Sequence, residues 1–150
     1  MANSSQTIFE PDREAQQVDV DEFLARPLVA RVATQGPEVR PVWFLWEDGA
    51  FWWLTGSYSR MERILAVDPR VALVVDTCEL ADAEVLSVTC RGTAQVVPLD
   101  RARALRKLTR YLGPDPRTWP ARFSEPLDDP ATKLVRFTPN RTPHLRDLSW

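Results

Sequence analysis

No apolar run in this chain approaches the length of a membrane span, and Met1 to Gln17 are polar, without the apolar stretch of a secretory signal. Those absences make the cytoplasm the expected location. Histidine occurs once, at His144, and no acidic cluster has ligand spacing, so no metal centre is expected. The two cysteines, Cys78 and Cys90, fall in different predicted strands without C-x-x-C spacing, which predicts buried, reduced thiols and no disulfide. Lysine is equally scarce: Lys107 and Lys133 are the only two, and arginine supplies the remaining basic charge. The bias matters locally, because arginine grips phosphate with a two-pronged fork where lysine acts as a point charge. A net charge of −2 offers no basic field to nucleic acid or to an anionic membrane. Also missing are a P-loop, a G-x-G-x-x-G turn, a G-x-S-x-G elbow and a paired Cys/His nucleophile. The side chains announce no acid–base or nucleophilic chemistry, a silence that suits a cofactor bringing its own reactivity.

What is present reads as one domain over residues 1–150, with 44% apolar and 27% charged residues. Residues 1–19 read as a flexible arm, and Val20 to Leu24 as a short helix stopped near Pro27. Strands are expected at Leu28–Thr34 and Val39–Trp46. Asp48-Gly49 then turns the chain into a strand over Phe51–Thr55. A helix from Arg60 to about Val67 follows Ser59, whose spacing to Glu62 is that of a capping box, and Pro69 ends it. Arg70–Asp76 is a short apolar strand. Val85–Val97 alternates, with Leu86, Val88, Cys90, Gly92, Ala94 and Val96 on one face.

Asp100 caps a predicted helix running to Leu112, whose apolar face is Leu105, Leu108 and Leu112 with Ala104 and Tyr111. Arg101, Arg103, Arg106, Lys107 and Arg110 form its expected solvated side, without the interleaved aromatics of a nucleic-acid surface. The proline-rich segment 113–131 is expected to be an ordered loop, not a helix, and Lys133–Phe137 a last strand. The pattern predicts a mainly β (α+β) fold: a six-stranded antiparallel barrel with two or three helices.

Two segments carry candidate chemistry. Thr55-Gly-Ser-Tyr-Ser-Arg-Met-Glu-Arg63 lies where a strand ends and a helix begins. Free amides there, the hydroxyls of Thr55, Ser57 and Ser59, and the guanidiniums of Arg60 and Arg63 have the makings of a phosphate cradle. The residues alone favour a second reading, in which Ser59 only caps the helix and both arginines face solvent, because such caps are common and Glu62 would repel an anion. The other segment is aromatic: Trp43, Phe44, Trp46, Phe51, Trp52 and Trp53 occupy two adjacent strands. Trp52 and Trp53 are consecutive, so they must point to opposite faces, and each face needs a cover: core, a second copy or a planar ligand.

The order of elements and the run Val39–Asp76 resemble the cofactor-binding core of the pyridoxamine-phosphate-oxidase-like family. The shared features are R-P-V-x-F in one strand, a hairpin, a strand ending in Thr, a Ser-Arg helix start, and D-P-R-V-A-L opening the next strand. Val88–Val97 is similar to that family's G-x-A strand. The resemblance implies an FMN-binding-type split barrel, a homodimer with cofactor at the interface, and hydride or electron transfer between FMN or deazaflavin F-420 and a small organic substrate. It implies ring contacts from Arg40, Val42 and Trp43, and phosphate contacts from Thr55, Ser59 and Arg60, with Arg63 in reach one turn on; Ser57 joins them only as a hydroxyl of the cradle. Met61 stands where the family commonly has lysine, and Ser87 where the true oxidases carry a flavin-contacting glutamine. The arginine-rich C-terminal motif that grips pyridoxal phosphate is not recognisable, which argues against vitamin B6 oxidation. The resemblance names no catalytic residue. The alternative it leaves is a non-catalytic flavin- or haem-binding protein of the same fold, with His144 as the available axial ligand.

Overall fold

The computed structural model describes residues 13–150, so the first twelve positions of the expected arm lie outside the described residues. From Arg13 the backbone is already helical: α1 (Arg13–Leu24) starts well before the short helix expected at Val20. Its C-terminal turn is anchored in the core by Val20, Phe23 and Leu24, and such packing, more than local propensity, holds a helix of this length.

Eight strands follow: β1 (Val29–Thr34), β2 (Glu38–Trp43), β3 (Leu45–Glu47), β4 (Ala50–Thr55), β5 (Arg70–Asp76), β6 (Leu86–Pro98), β7 (Lys133–Pro139) and β8 (Arg146–Asp147). Three further helices intervene, α2 (Met61–Val67), α3 (Arg101–Leu112) and the single turn α4 (Ala121–Ser124). Pairing is antiparallel throughout, in the order β2-β1-β5-β6-β7-β4-β3, with β8 on β6. The two ends of that path, β2 and β3, are consecutive in the chain with only Phe44 between them, so the sheet curls back on itself. The result is the expected α+β split barrel, with eight strands and four helices among the described residues in place of six and two or three.

The additional strands have identifiable causes. One is the short pairing of the C-terminal tail as β8. The other is a break in the segment expected to run unbroken from Val39 to Trp46. At the break, the Tyr111 hydroxyl of α3 accepts from the Phe44 N–H at 3.1 Å and donates to the Leu28 carbonyl at 2.6 Å. A side chain thus supplies the partner a neighbouring strand would have given. β2 stays with β1 while β3 turns away to β4. Phe44 is fully buried, so Tyr111→Phe leaves its N–H without solvent or partner and is expected to cost about 1–2 kcal/mol. A lowered urea midpoint with unchanged slope would show this loss; an unmoved midpoint would mean the hydroxyl is dispensable.

The barrel interior is filled from all sides by Phe44, Phe51, Trp53, Val75, Val88 and Phe137 among others. The Phe51 ring lies 5.4 Å from that of Phe44 and 5.8 Å from that of Phe137. β6 alternates as its sequence requires, with Leu86, Val88, Cys90, Gly92 and Ala94 inward and Thr89, Arg91, Thr93 and Gln95 outward. Asp48 and Gly49, at φ 55° and 68°, make the expected two-residue hairpin. Trp52 and Trp53 do face opposite ways, Trp53 into the main core and Trp52 onto Leu45, Ala50 and Leu134.

Two local expectations are corrected. The proline-rich segment is largely coiled into short helical turns, Pro116–Thr118, α4 and Glu125–Asp128. Pro116 and Pro126 stand at the starts of their turns, where a missing N–H breaks no bond. Trp119 and Leu127 fasten the segment to Ala104 and Leu108 of α3. Cys78 lies beyond the end of β5 and is exposed, whereas Cys90 is buried in β6; both are free thiols. Among the described residues no helix is long and apolar enough to cross a membrane.

Candidate functional site

The curl leaves a seam. β2 is bonded to a strand only on its β1 side, and Trp53 to Thr55 of β4 only on their β7 side. Between these strands runs a groove of two adjoining cavities, of about 330 and 380 Å³, sharing Pro41, Val42, Trp53, Leu54 and Tyr58. Strand edges with free backbone groups, and Pro41 where an edge strand tolerates it, let the sheet itself offer hydrogen bonds to a ligand here.

One end of the groove is polar. It is lined by Arg40 from β2, Thr55 from the end of β4, and Ser59 and Arg60 from the turn into α2. That turn is tight: the Ser59 N–H donates to the Gly56 carbonyl at 3.0 Å, and its Oγ accepts from the Met61 N–H at 3.1 Å. Ser59 thus accepts from the first N–H of α2 while Arg60 holds the N-cap position, and the expected capping box does not form. The helix starts one residue later, and Glu62 reaches away to the Lys133 ammonium at 2.6 Å. The carboxylate expected to repel an anion here is thereby neutralised. Another takes its place: Glu38 pairs with Arg40 and, at 3.0 Å, with Arg60.

Three buried polar atoms of groove-lining residues have no hydrogen-bond partner among the described residues: Nε of Arg40, Nε1 of Trp53 and Oγ1 of Thr55. A buried donor left unpaired costs about 1–3 kcal/mol. Folded proteins retain few such atoms. Three along one cavity mark positions that a bound molecule would satisfy. The set, a cation, an indole N–H and a hydroxyl, suits the phosphate and polar chain of a nucleotide-like cofactor, so the residues fit such a group.

The other end is apolar, walled by Trp43, Leu108, Phe123 and Pro126, with Lys107 and Arg122 as its charges. Trp43 stacks on Tyr111 at 4.6 Å and 4°, and on Phe123 at 5.0 Å and 16°. Its ring is thus committed to aromatics of α3 and α4, leaving its main chain for any ligand. Lys107 is turned inward, against its expected place on the solvated side of α3. Burial pulls its ammonium down to about 8.

The structure brings together Arg40, Val42, Trp43, Thr55, Ser59 and Arg60. It does not bring Ser57, Arg63 or Ser87 with them. Ser57 and Arg63 are exposed and line neither cavity. Ser87 sits in β6 opposite Asp76 and Arg146. Glu38, Tyr58, Lys107 and Phe123 were missed. Two had a signal: Glu38 is two positions before Arg40, hence on its face of the strand, and Lys107 is one turn before Tyr111. His144 is exposed and lines a separate cavity with Cys90 and Arg91, sharing no residue with the groove.

A family model described as pyridoxamine 5'-phosphate oxidase matches residues 16–144. Solved structures share the fold. An F-420 reductase is 22% identical at TM-score 0.57, over 84% of this chain and 94% of that one. An FAD-binding protein of Mesorhizobium loti is 19% identical at TM-score 0.61, over 88% and 94%. The haem storage protein HutZ of Vibrio cholerae is 15% identical at TM-score 0.62, over 88% and 94%. Among curated proteins none matches the chain significantly.

Proposed function

The chain belongs to the pyridoxamine 5'-phosphate oxidase family, and on that footing we propose that it is a flavin- or deazaflavin-dependent oxidoreductase acting on a small organic substrate, with its cofactor in the groove between β2 and β4. The observation that carries this reading is the row of unpartnered polar atoms on Arg40, Trp53 and Thr55. Likeness of fold to an F-420 reductase and an FAD-binding protein supports it. Bound there, the cofactor supplies hydride or electron transfer. The chain's own part is to hold the phosphate with Arg40, Thr55, Ser59 and Arg60, to offer the main chain of Val42 and Trp43 to the ring, and to exclude water with Trp53, Tyr58 and Phe123.

The charge at the polar end favours one cofactor. Two arginines less one glutamate, Arg40 and Arg60 against Glu38, leave a single net positive charge. That matches the singly charged phosphodiester of F-420 better than the nearly doubly charged terminal phosphate of FMN. F-420 is therefore expected to bind more tightly, as paired fluorescence titrations would show. The working unit in this reading is a homodimer. Val39 on β2 and Tyr58 at the groove are each 70% exposed, an apolar rim that a second copy would cover.

Thr55→Val tests the site. Valine keeps the shape of threonine and deletes the orphaned hydroxyl. The ligand-free protein is expected to gain about 1 kcal/mol, while cofactor affinity falls about five- to tenfold. Denaturant melts and cofactor titrations read the two effects separately. A destabilised variant with unchanged affinity would give the hydroxyl a structural role and sink the assignment.

A further inference from the structure

We propose that Lys107 is the counter-charge for a planar, conjugated carboxylate, the anionic group of the substrate, held at the apolar end of the groove. This rests on the cofactor reading above only in placing the cofactor's phosphate at the opposite, polar end.

Lys107 is 5% exposed, yet no ion pair or hydrogen bond to it is found among the described residues. Its neighbours on α3 are all engaged. Arg101 holds Asp128, Arg103 holds Asp48, Arg106 holds Glu47, and Arg110 donates to the Leu24 carbonyl. A side chain this withdrawn from water, its ammonium without a partner among the described residues, is costly for a fold to keep, and a leucine or methionine would fill the same space without that cost.

Its surroundings state what it waits for. The cavity it lines, about 380 Å³, has among the described residues only Lys107 and Arg122 as charged side chains, both positive, and no carboxylate. The walls between them are Trp53, Phe123 and Leu108, with the Trp43 ring stacked behind on Tyr111 and Phe123. Flat aromatic walls and one sunken cation select a flat, conjugated body carrying a single anionic group. Although burial brings the ammonium down to about 8, it still holds its proton at neutral pH, and a carboxylate beside it would push the value back up.

Two molecules bring a conjugated anion to such a place, a substrate carboxylate and the cofactor's own ring, and the experiment separates them. Wild type, Lys107→Met and Lys107→Arg are titrated calorimetrically with 2-naphthoate, with its neutral counterpart 2-naphthamide, and separately with FMN and F-420. The expected result is that wild type prefers naphthoate to naphthamide by at least tenfold. Lys107→Met loses that preference while keeping its affinity for naphthamide and cofactor, and Lys107→Arg restores the preference in part. Methionine fills the lysine's volume and removes a buried charge, so the variant is expected to melt no lower than wild type.

A preference that survives in Lys107→Met, or no naphthoate binding by wild type, overturns the proposal. So does a tenfold loss of cofactor affinity with the probe preference intact, which would assign Lys107 to the cofactor ring. Binding of neither cofactor, with a Lys107-dependent preference for naphthoate, would remove the cofactor reading and leave the anion site standing.

Discussion

Replacing Gly92 with alanine is expected to destabilise the protein by about 3 kcal/mol, at the upper end of what overpacking costs. A Cβ at this position falls 2.1 Å from the Thr138 carbonyl oxygen and 2.9 Å from Pro139 Cα. Both are backbone atoms of β7, Pro139 opposite Gly92 in the register of β6 and β7 and Thr138 beside it. No rotamer change relieves such a contact; the two strands must part. β7 carries Leu134, Val135 and Phe137, all fully buried, so parting the strands opens the barrel core. Cys90 and Ala94, the next inward positions of β6, have room for their side chains, which makes the effect local to Gly92. Urea unfolding of the purified variant measures it. A midpoint within experimental error of wild type would show that the sheet can absorb the methyl group, and that the close approach of β6 to β7 is not needed.

The second large effect concerns binding. Arg40→Ala is expected to weaken cofactor binding by about 2–3 kcal/mol, or about 30- to 150-fold, the scale of a charged hydrogen bond made out of water. The arginine motif at the start of α2 directs attention to Arg60, but the geometry shifts the weight. The Arg60 side chain is 71% exposed and that of Arg40 26%, and Arg40 alone of the two has a buried donor without a partner. Solvent screens the exposed charge, so Arg60→Ala is expected to cost about 1 kcal/mol or less. Arg40→Lys retains the charge but not the fork and falls between the two. Titrations of the three variants with F-420 decide the order. Unchanged affinity in Arg40→Ala would place the phosphate elsewhere and remove the groove as the site.

Much of the fold could be read directly along the chain. Alternation from Leu86 to Val97, the Asp48-Gly49 turn and the Asp100 cap are local signals, and each element formed where its own residues demanded. Other elements owe their form to contacts distant in sequence. The break at Phe44 depends on a hydroxyl 67 residues away. The helical turns of the proline-rich segment depend on the packing of Trp119 and Leu127 against α3. Neither leaves a trace in the periodicity of its own segment.

The same division runs through the candidate site. By itself the sequence determined which residue types gather near the start of α2 and along β2, because strand and helix periods place them without reference to the rest of the molecule. Tertiary structure alone decided that Arg40, Trp53 and Thr55 leave buried polar atoms without partners, since that depends on what every other segment fails to supply. It also decided that Glu38, not Glu62, is the acid at the polar end, and that Lys107 turns inward while the arginines around it find partners. A helix period says which residues share a face; only the elements packed against it decide whether that face meets water, protein or an empty groove.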